Sequence, residues 1–122
     1  MFDRDLANEI LRQILTATNR IERRCAGIGK PDDFLISEGG LDKLDGICMM
    51  LIAIGENLKN LDRVTSGKLL VAYPEVDWKG AKGMRDIISH HYFDLNAEIV
   101  FSICKDRIPG LMKTITKMKG AL

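Results

Sequence analysis

Residues 83–93 read Gly-Met-Arg-Asp-Ile-Ile-Ser-His-His-Tyr-Phe, and they gather an arginine, two histidines and a tyrosine into one short stretch. On an α-helix each residue advances by about 100°. With Arg85 as origin, Tyr92, Arg85, Ser89, Asp86 and His90 fall in that order along one arc of roughly 160°. Met84, Ile87, Ile88 and His91 take the opposite arc. The adjacent histidines are therefore not equivalent. His90 shares a polar face with Arg85, and His91 belongs to the apolar one.

A permanent cation beside a group that titrates near neutrality is a recurring pair in phosphate chemistry. The guanidinium is a planar, always-charged fork that matches phosphate oxygens. A neutral imidazole takes or gives a proton at physiological pH. The same residues admit plainer roles: Arg85 paired with a carboxylate, and His90 as a surface side chain. Spacing alone does not choose between these readings.

These side chains need a framework. At 122 residues the chain is expected to form one domain over 1–122 with a real core. Apolar residues at 46% and charged residues at 29% describe an ordinary globular protein, and sparse aromatics leave Leu, Ile and Met to fill packed helices. A net charge of +1 argues against a strongly basic nucleic-acid coat. Nucleic-acid binding would have to use a local patch or a cleft between chains. Cys25, Cys48 and Cys104 are odd in number and show neither CxxC nor Cys-His metal spacing, which predicts buried, reduced thiols and a cytoplasmic location. The start, Met-Phe-Asp-Arg-Asp, is acidic where a secretory signal is basic and then apolar. The apolar run Ile47 to Ile54 is far short of the roughly 20 residues that span a bilayer, so no membrane segment is expected.

The periodicity predicts a first helix from about Arg4 to Cys25, with Leu6, Ile10, Ile14, Ala17 and Ile21 inward. Gly27, Gly29 and Pro31 break it, and residues 32–36 form a connection or short turn. A second helix is expected from Ser37, as N-cap, to about Leu61, with Leu44, Ile47, Cys48, Leu51, Ile54, Leu58 and Leu61 inward. Met49, Met50 and Ile52 make that helix apolar on further sides, which predicts burial against a second subunit. After a break at Gly67, a short helix at Lys68 to Ala72 and a turn at Pro74, Asp77 is expected to cap the helix that carries the polar arc. The last helical region, Leu95 to Lys119, is read with Ile99, Ile103, Ile108, Leu111 and Ile115 inward and with a kink or interruption at Pro109. With little strand signal, the predicted architecture is an all-α, up-and-down bundle of four or five helices.

The run from Pro74 to Phe93 resembles the HEPN domain family, and in particular the HepT-like toxins of prokaryotic toxin–antitoxin pairs. Their Arg-x4-His-x-Tyr signature is matched by Arg85, His90 and Tyr92. Trp78 and Gly83-Met84, the second-helix run Ile54-Gly55-Glu56-Asn57-Leu58-Lys59, and the late Ile108-Pro109-Gly110-Leu111 are also similar to that family, in order over most of the chain.

The resemblance implies a metal-independent endoribonuclease that works as a homodimer, with both Arg-His pairs lining the cleft between subunits and RNA, including tRNA, as substrate. The RNA 2′-hydroxyl would attack the adjacent phosphorus, leaving a cyclic phosphate and a 5′-hydroxyl. His90 would serve in acid–base transfer and Arg85 would hold the scissile phosphate. Asp86, one turn before His90, would orient the imidazole or hold Arg85, with Ser89 beside them as a supporting residue. By the same resemblance Tyr92 is the site where a minimal nucleotidyltransferase antitoxin attaches AMP and silences the toxin. An AMP group there would set an anion beside Arg85 and obstruct phosphate entry.

Other features carry less. Glu56 fits either an acidic residue near the site or a solvated helix face. His91 reads as a packing residue. His90 with Asp86 or Asp94 has two-ligand metal spacing, but no second pair or cysteine ligand accompanies it, so no metal or other cofactor is expected. Arg20, Arg23, Arg24, Lys113, Lys117 and Lys119 read as a solvated charged face that would also attract RNA. The competing functional class is a non-catalytic helical module that binds nucleotide or docks onto a nucleotidyltransferase.

Overall fold

A computed structural model describes residues 2–90 and 96–122, with Ser89 and His90 described by their backbone only. Among these residues the chain is all-α. Helix α1 spans Arg4–Cys25 and starts where the Asp3 carboxylate accepts a hydrogen bond from the Leu6 N–H at 3.0 Å. A 3-10 turn, Pro31–Phe34, buries Phe34 and leads to α2, Glu38–Thr65. Ser37 caps α2 as expected, its hydroxyl oxygen accepting from the Gly40 N–H at 2.9 Å.

Helix α2 runs one turn past the expected end at Leu61. The actual stop is Ser66-Gly67, both in the left-handed region at φ 54° and 72°, with both N–H groups donating to the Asp62 carbonyl. Short α3, Lys68–Val71, follows, then α4, Trp78–His90, and α5, Ala97–Ser102. A π-helical segment, Ile103–Arg107, then passes into α6, Ile108–Ala121. Pro109 explains that segment. It has no N–H to close an α-helical bond onto the Lys105 carbonyl, so the preceding turn widens and the Ile108 N–H reaches back to Ile103.

The helices alternate in direction. Arg24 near the end of α1 lies across Gly46 in the first half of α2. Lys119 near the end of α6 donates to Asn8 near the start of α1 at 2.9 Å. Asp62 late in α2 pairs with Lys82 early in α4. These contacts define an up-and-down bundle around a core formed by Ile14, Ile21, Ile47, Leu51, Ile54, Leu58, Ile108 and Ile115, all fully buried.

The predicted inward stripe of α2 is buried throughout. Two other stripes need correction. Leu6 is exposed, and Ala7 and Leu11 take its place against the core. In the last helical region Ile99 is 52% exposed and Ile103 only half-buried, whereas Val100 and Cys104 face the core. The extra residue per turn in the π segment shifts the register between Ala97 and Ile108, so a stripe extrapolated backwards from Ile108 lands on the wrong residues. All three cysteines are buried and unbridged, as expected. No helix among the described residues is long and apolar enough to cross a membrane.

Candidate functional site

Helix α4 carries the polar arc, and its start is fixed from two sides. The Asp77 carboxylate accepts from the Gly80 N–H at 3.0 Å, which caps the helix as the sequence suggested. The Trp78 indole N–H donates to the Tyr73 carbonyl at 2.8 Å, folding the entering chain under the first turn. From α6, the Lys117 ammonium lies 5.5 Å from the Tyr73 ring centroid and 3.0 Å from the Glu75 carboxylate. The same lysine therefore holds the segment that delivers α4.

Along its length α4 packs on α2, and the packing is closest at Arg85. Gly55 is fully enclosed there: a β-carbon added to it would stand 2.9 Å from Arg85 Cβ, 3.2 Å from the Lys82 carbonyl oxygen and 3.3 Å from the Arg85 backbone nitrogen. Glycine in a helix interior costs roughly 0.5–1 kcal/mol relative to alanine, so its presence marks a place where two backbones must approach. Ion pairs flank the contact. Lys82 pairs with Asp62 where both side chains are largely shielded. Arg85 Nε lies 2.5 Å from Glu56 Oε1.

Arg85 also donates from Nη1 to Asp86 Oδ1 at 3.0 Å, and Asp86 Oδ2 lies 3.8 Å from Lys59 Nζ. The guanidinium thus sits between two carboxylates, and its side chain is still 40% exposed. The Glu56 contact is one of proximity and charge. The buried Arg85 Nε–H does not point at a hydrogen-bond acceptor, so the Glu56 oxygen is close but out of line. A guanidinium has five N–H groups, and these two carboxylates alone do not use them all. They fix its plane and direction and leave it charged and reachable, which is the state that a phosphate-binding arginine needs.

Of the sequence-derived candidates, Arg85 and Asp86 are brought together with each other and with Glu56. His90 lies on the same helix, five residues beyond Arg85, with only its backbone described, and Ser89 likewise. Tyr92 and His91 lie outside the described residues. Gly55 was not singled out as a packing residue. The signal that finds it is a glycine set inside an otherwise apolar helical stripe. Lys59 and the Lys82–Asp62 pair were also missed, because neither spacing nor composition reveals which charged residues on two helices will face each other.

A groove of about 770 Å³ runs between the first half of α4 and the α5–π–α6 wall. It takes Ala81 and Met84 from α4 but not Arg85, and so is separate from the guanidinium site. Among the described residues, no three His, Cys, Asp or Glu side chains converge in a way that would hold a metal ion.

Comparison with known proteins bears on the whole bundle. A Methanocaldococcus jannaschii protein named "Putative RNase MJ0127" is 40% identical over 68 residues, which cover 56% of this chain and 53% of that protein. A Caldanaerobacter subterraneus subsp. tengcongensis protein named "Putative RNase TTE0752" is 35% identical over 65 residues, covering 53% of this chain and 54% of that protein. The matched stretch spans about half the length of each relative. No solved structure matches the chain. The profile of the family described as ribonuclease HepT-like matches residues 14–118, from the middle of α1 to the end of α6, and therefore takes in every residue of the α2–α4 site: the chain belongs to the HepT-like family.

Proposed function

We propose that this protein is a metal-independent endoribonuclease, the toxin of a toxin–antitoxin pair, acting as a homodimer. The observation that carries this reading is Arg85 held charged and part-exposed against Gly55 and Glu56, on the helix whose sequence also carries His90. Family membership and the names of the two relatives support a nuclease over other phosphate chemistry.

In this reading the RNA 2′-hydroxyl loses its proton to one His90 and attacks the adjacent phosphorus. The P–O5′ bond breaks, and the 5′-oxygen takes a proton from the His90 of the other subunit. The products are a 2′,3′-cyclic phosphate and a 5′-hydroxyl. Arg85 offsets charge on the non-bridging oxygens, and is aimed by Glu56 and Asp86. Dimerisation is supported by apolar surface next to the site: Met49, on the Glu56 face of α2, is 60% exposed, and Ile87 on α4 is 57% exposed. A partner nucleotidyltransferase would silence the enzyme by attaching AMP to Tyr92, whose phosphate would compete for Arg85.

The test is cleavage of total RNA and of tRNA by the unmodified protein in excess EDTA, with Arg85→Ala and His90→Ala beside it. Cleavage that survives EDTA and is lost in both variants is the expected result. Absence of cleavage by protein shown by intact mass to carry no AMP would replace this reading with that of a non-catalytic module docking on a nucleotidyltransferase. Activity retained by both variants would remove the site from α4.

A further inference from the structure

Cys25 closes α1, and Cys104 sits in the π segment ahead of α6. Distant in sequence, they meet because α6 runs back along α1 from the end where Cys25 stands. Both line one cavity of about 360 Å³, whose other walls are Glu22, Ala26, Lys105 and Pro109. Those four residues are exposed, and the two cysteines are each 6% exposed, so the cavity opens to solvent at its rim and carries sulfur at its floor.

The two thiols are near enough for each to shift the other's ionisation. A hydrogen bond from Cys104 holds the Cys25 thiol below the ordinary thiol range, against the opposing effect of burial, with help from the Lys105 charge. The same bond, and then burial, pushes Cys104 up. Cys48, in the core of α2, is different: burial first, and Asp45 second, raise it to about 11, and it does not line the cavity. Two sulfurs thus share the floor of one solvent-reaching cavity, one placed to attack as thiolate and its neighbour to resolve the product, while the third cysteine lies outside it.

We propose that Cys25 and Cys104 form an oxidation site, at which a small hydroperoxide converts the pair into an intrachain disulfide joining α1 to the π segment. The Cys25 thiolate attacks the hydroperoxide. An S–O bond forms, the O–O bond breaks, and the alcohol (water, for hydrogen peroxide) leaves with the proton that Cys25 gave up. Cys104 sulfur then attacks Cys25 sulfur. The S–S bond forms, the S–O bond breaks, and hydroxide leaves with the Cys104 proton as water. Two thiols lose two electrons and two protons in all, and the peroxide takes them up. The π segment suits this step, since Pro109 provides no α-helical bond to the turn that holds Cys104, leaving it freer to adjust.

The test treats the reduced 122-residue chain with hydrogen peroxide and follows it by intact mass and non-reducing peptide mapping. The expected product has lost two hydrogens, contains a Cys25–Cys104 cross-link, and returns to starting mass with dithiothreitol. Cys48→Ala should behave in the same way. Cys104→Ser should instead gain one oxygen at Cys25, trapped by dimedone. If a serine variant does not fold, differential alkylation of the native chain decides: Cys25 and Cys104 should disappear from the reactive pool together, with Cys48 retained. A cross-link through Cys48, a bond between chains, or oxygen addition to the wild type without a cross-link would overturn the proposal. None of these readouts depends on ribonuclease activity.

Discussion

Gly55 of α2 sits directly beneath Arg85 of α4, with room between them too small for a methyl group. The closest obstacles to a β-carbon are Arg85 Cβ, the Lys82 carbonyl oxygen and the Arg85 amide nitrogen. All are backbone or backbone-adjacent, so no rotamer change relieves them. The depth at which the guanidinium root lies against α2 is thus set by the absence of a side chain at position 55. Glu56, the next residue, then meets the far end of the same arginine.

Gly55→Ala should accordingly separate local from tertiary preference. Alanine gains up to about 1 kcal/mol of helix propensity, and pushing α4 away costs about 1–3 kcal/mol, as overpacking does. The expected outcome is a net loss of stability in urea unfolding and a fall in RNA cleavage of tenfold or more. An alanine variant that is both more stable and fully active would mean that α4 has no fixed seat on α2.

Glu56→Gln removes the charge beside Arg85 Nε and preserves size. Both side chains are substantially exposed, so the change in stability should stay within about 1 kcal/mol. Cleavage should fall further than stability does, since Glu56 aims the guanidinium. Arg85→Lys should lose nearly as much as Arg85→Ala, because an ammonium cannot reproduce the fork. In a double-mutant cycle, Glu56→Gln should have little effect once Arg85 is lysine. Independent, additive losses would show that Glu56 acts on something other than Arg85.

Much of this arrangement is legible in the sequence, and the misses have identifiable causes. The inward stripe of α2 and the caps at Ser37 and Asp77 follow from local pattern, and local pattern decides them. Arg85 and Asp86 could be put on one face of a helix by angle alone. What remained hidden was the choice of partner across the bundle. Glu56 and Gly55 are close to Arg85 only because α4 runs antiparallel to α2 in one register, and no periodicity within either segment reports that register. Ile99 was misassigned for a related reason. Pro109 announces a disturbance, but not that it takes the form of a wider turn upstream.

Trp78 is the chain's only tryptophan and sits where α4 begins. Its indole N–H satisfies the Tyr73 carbonyl, and its ring packs part-buried against the core. Trp78→Phe keeps most of the packing but strands that acceptor, at an expected cost of about 1–2 kcal/mol. In the wild type, tryptophan emission should shift red when α4 leaves α2, which makes it a reporter of site assembly. Adding Gly55→Ala to the wild type should therefore move the emission as well as the cleavage rate. Unchanged emission alongside lost cleavage would place the damage at the Arg85 side chain and not in the docking of α4.

Cys48 supplies a test at alkaline pH. Burial raises its thiol from the ordinary 9.0 to about 11, so between those values the unfolded chain gives up the proton that the folded chain keeps. The folded state then binds more protons than the unfolded one, and stability must fall as pH rises. The contribution is fully present below about 9 and lost as pH passes through about 11, with a slope of up to about 1.4 kcal/mol per pH unit. Cys48→Val nearly preserves volume and removes the proton. Urea unfolding of both proteins, below the window and within it, cancels every other titrating group. The stability difference should move in favour of the valine variant as pH rises through the window. A difference that stays constant across it would mean that Cys48 ionises in the folded chain as readily as in water, and hence that the core around α2 admits solvent.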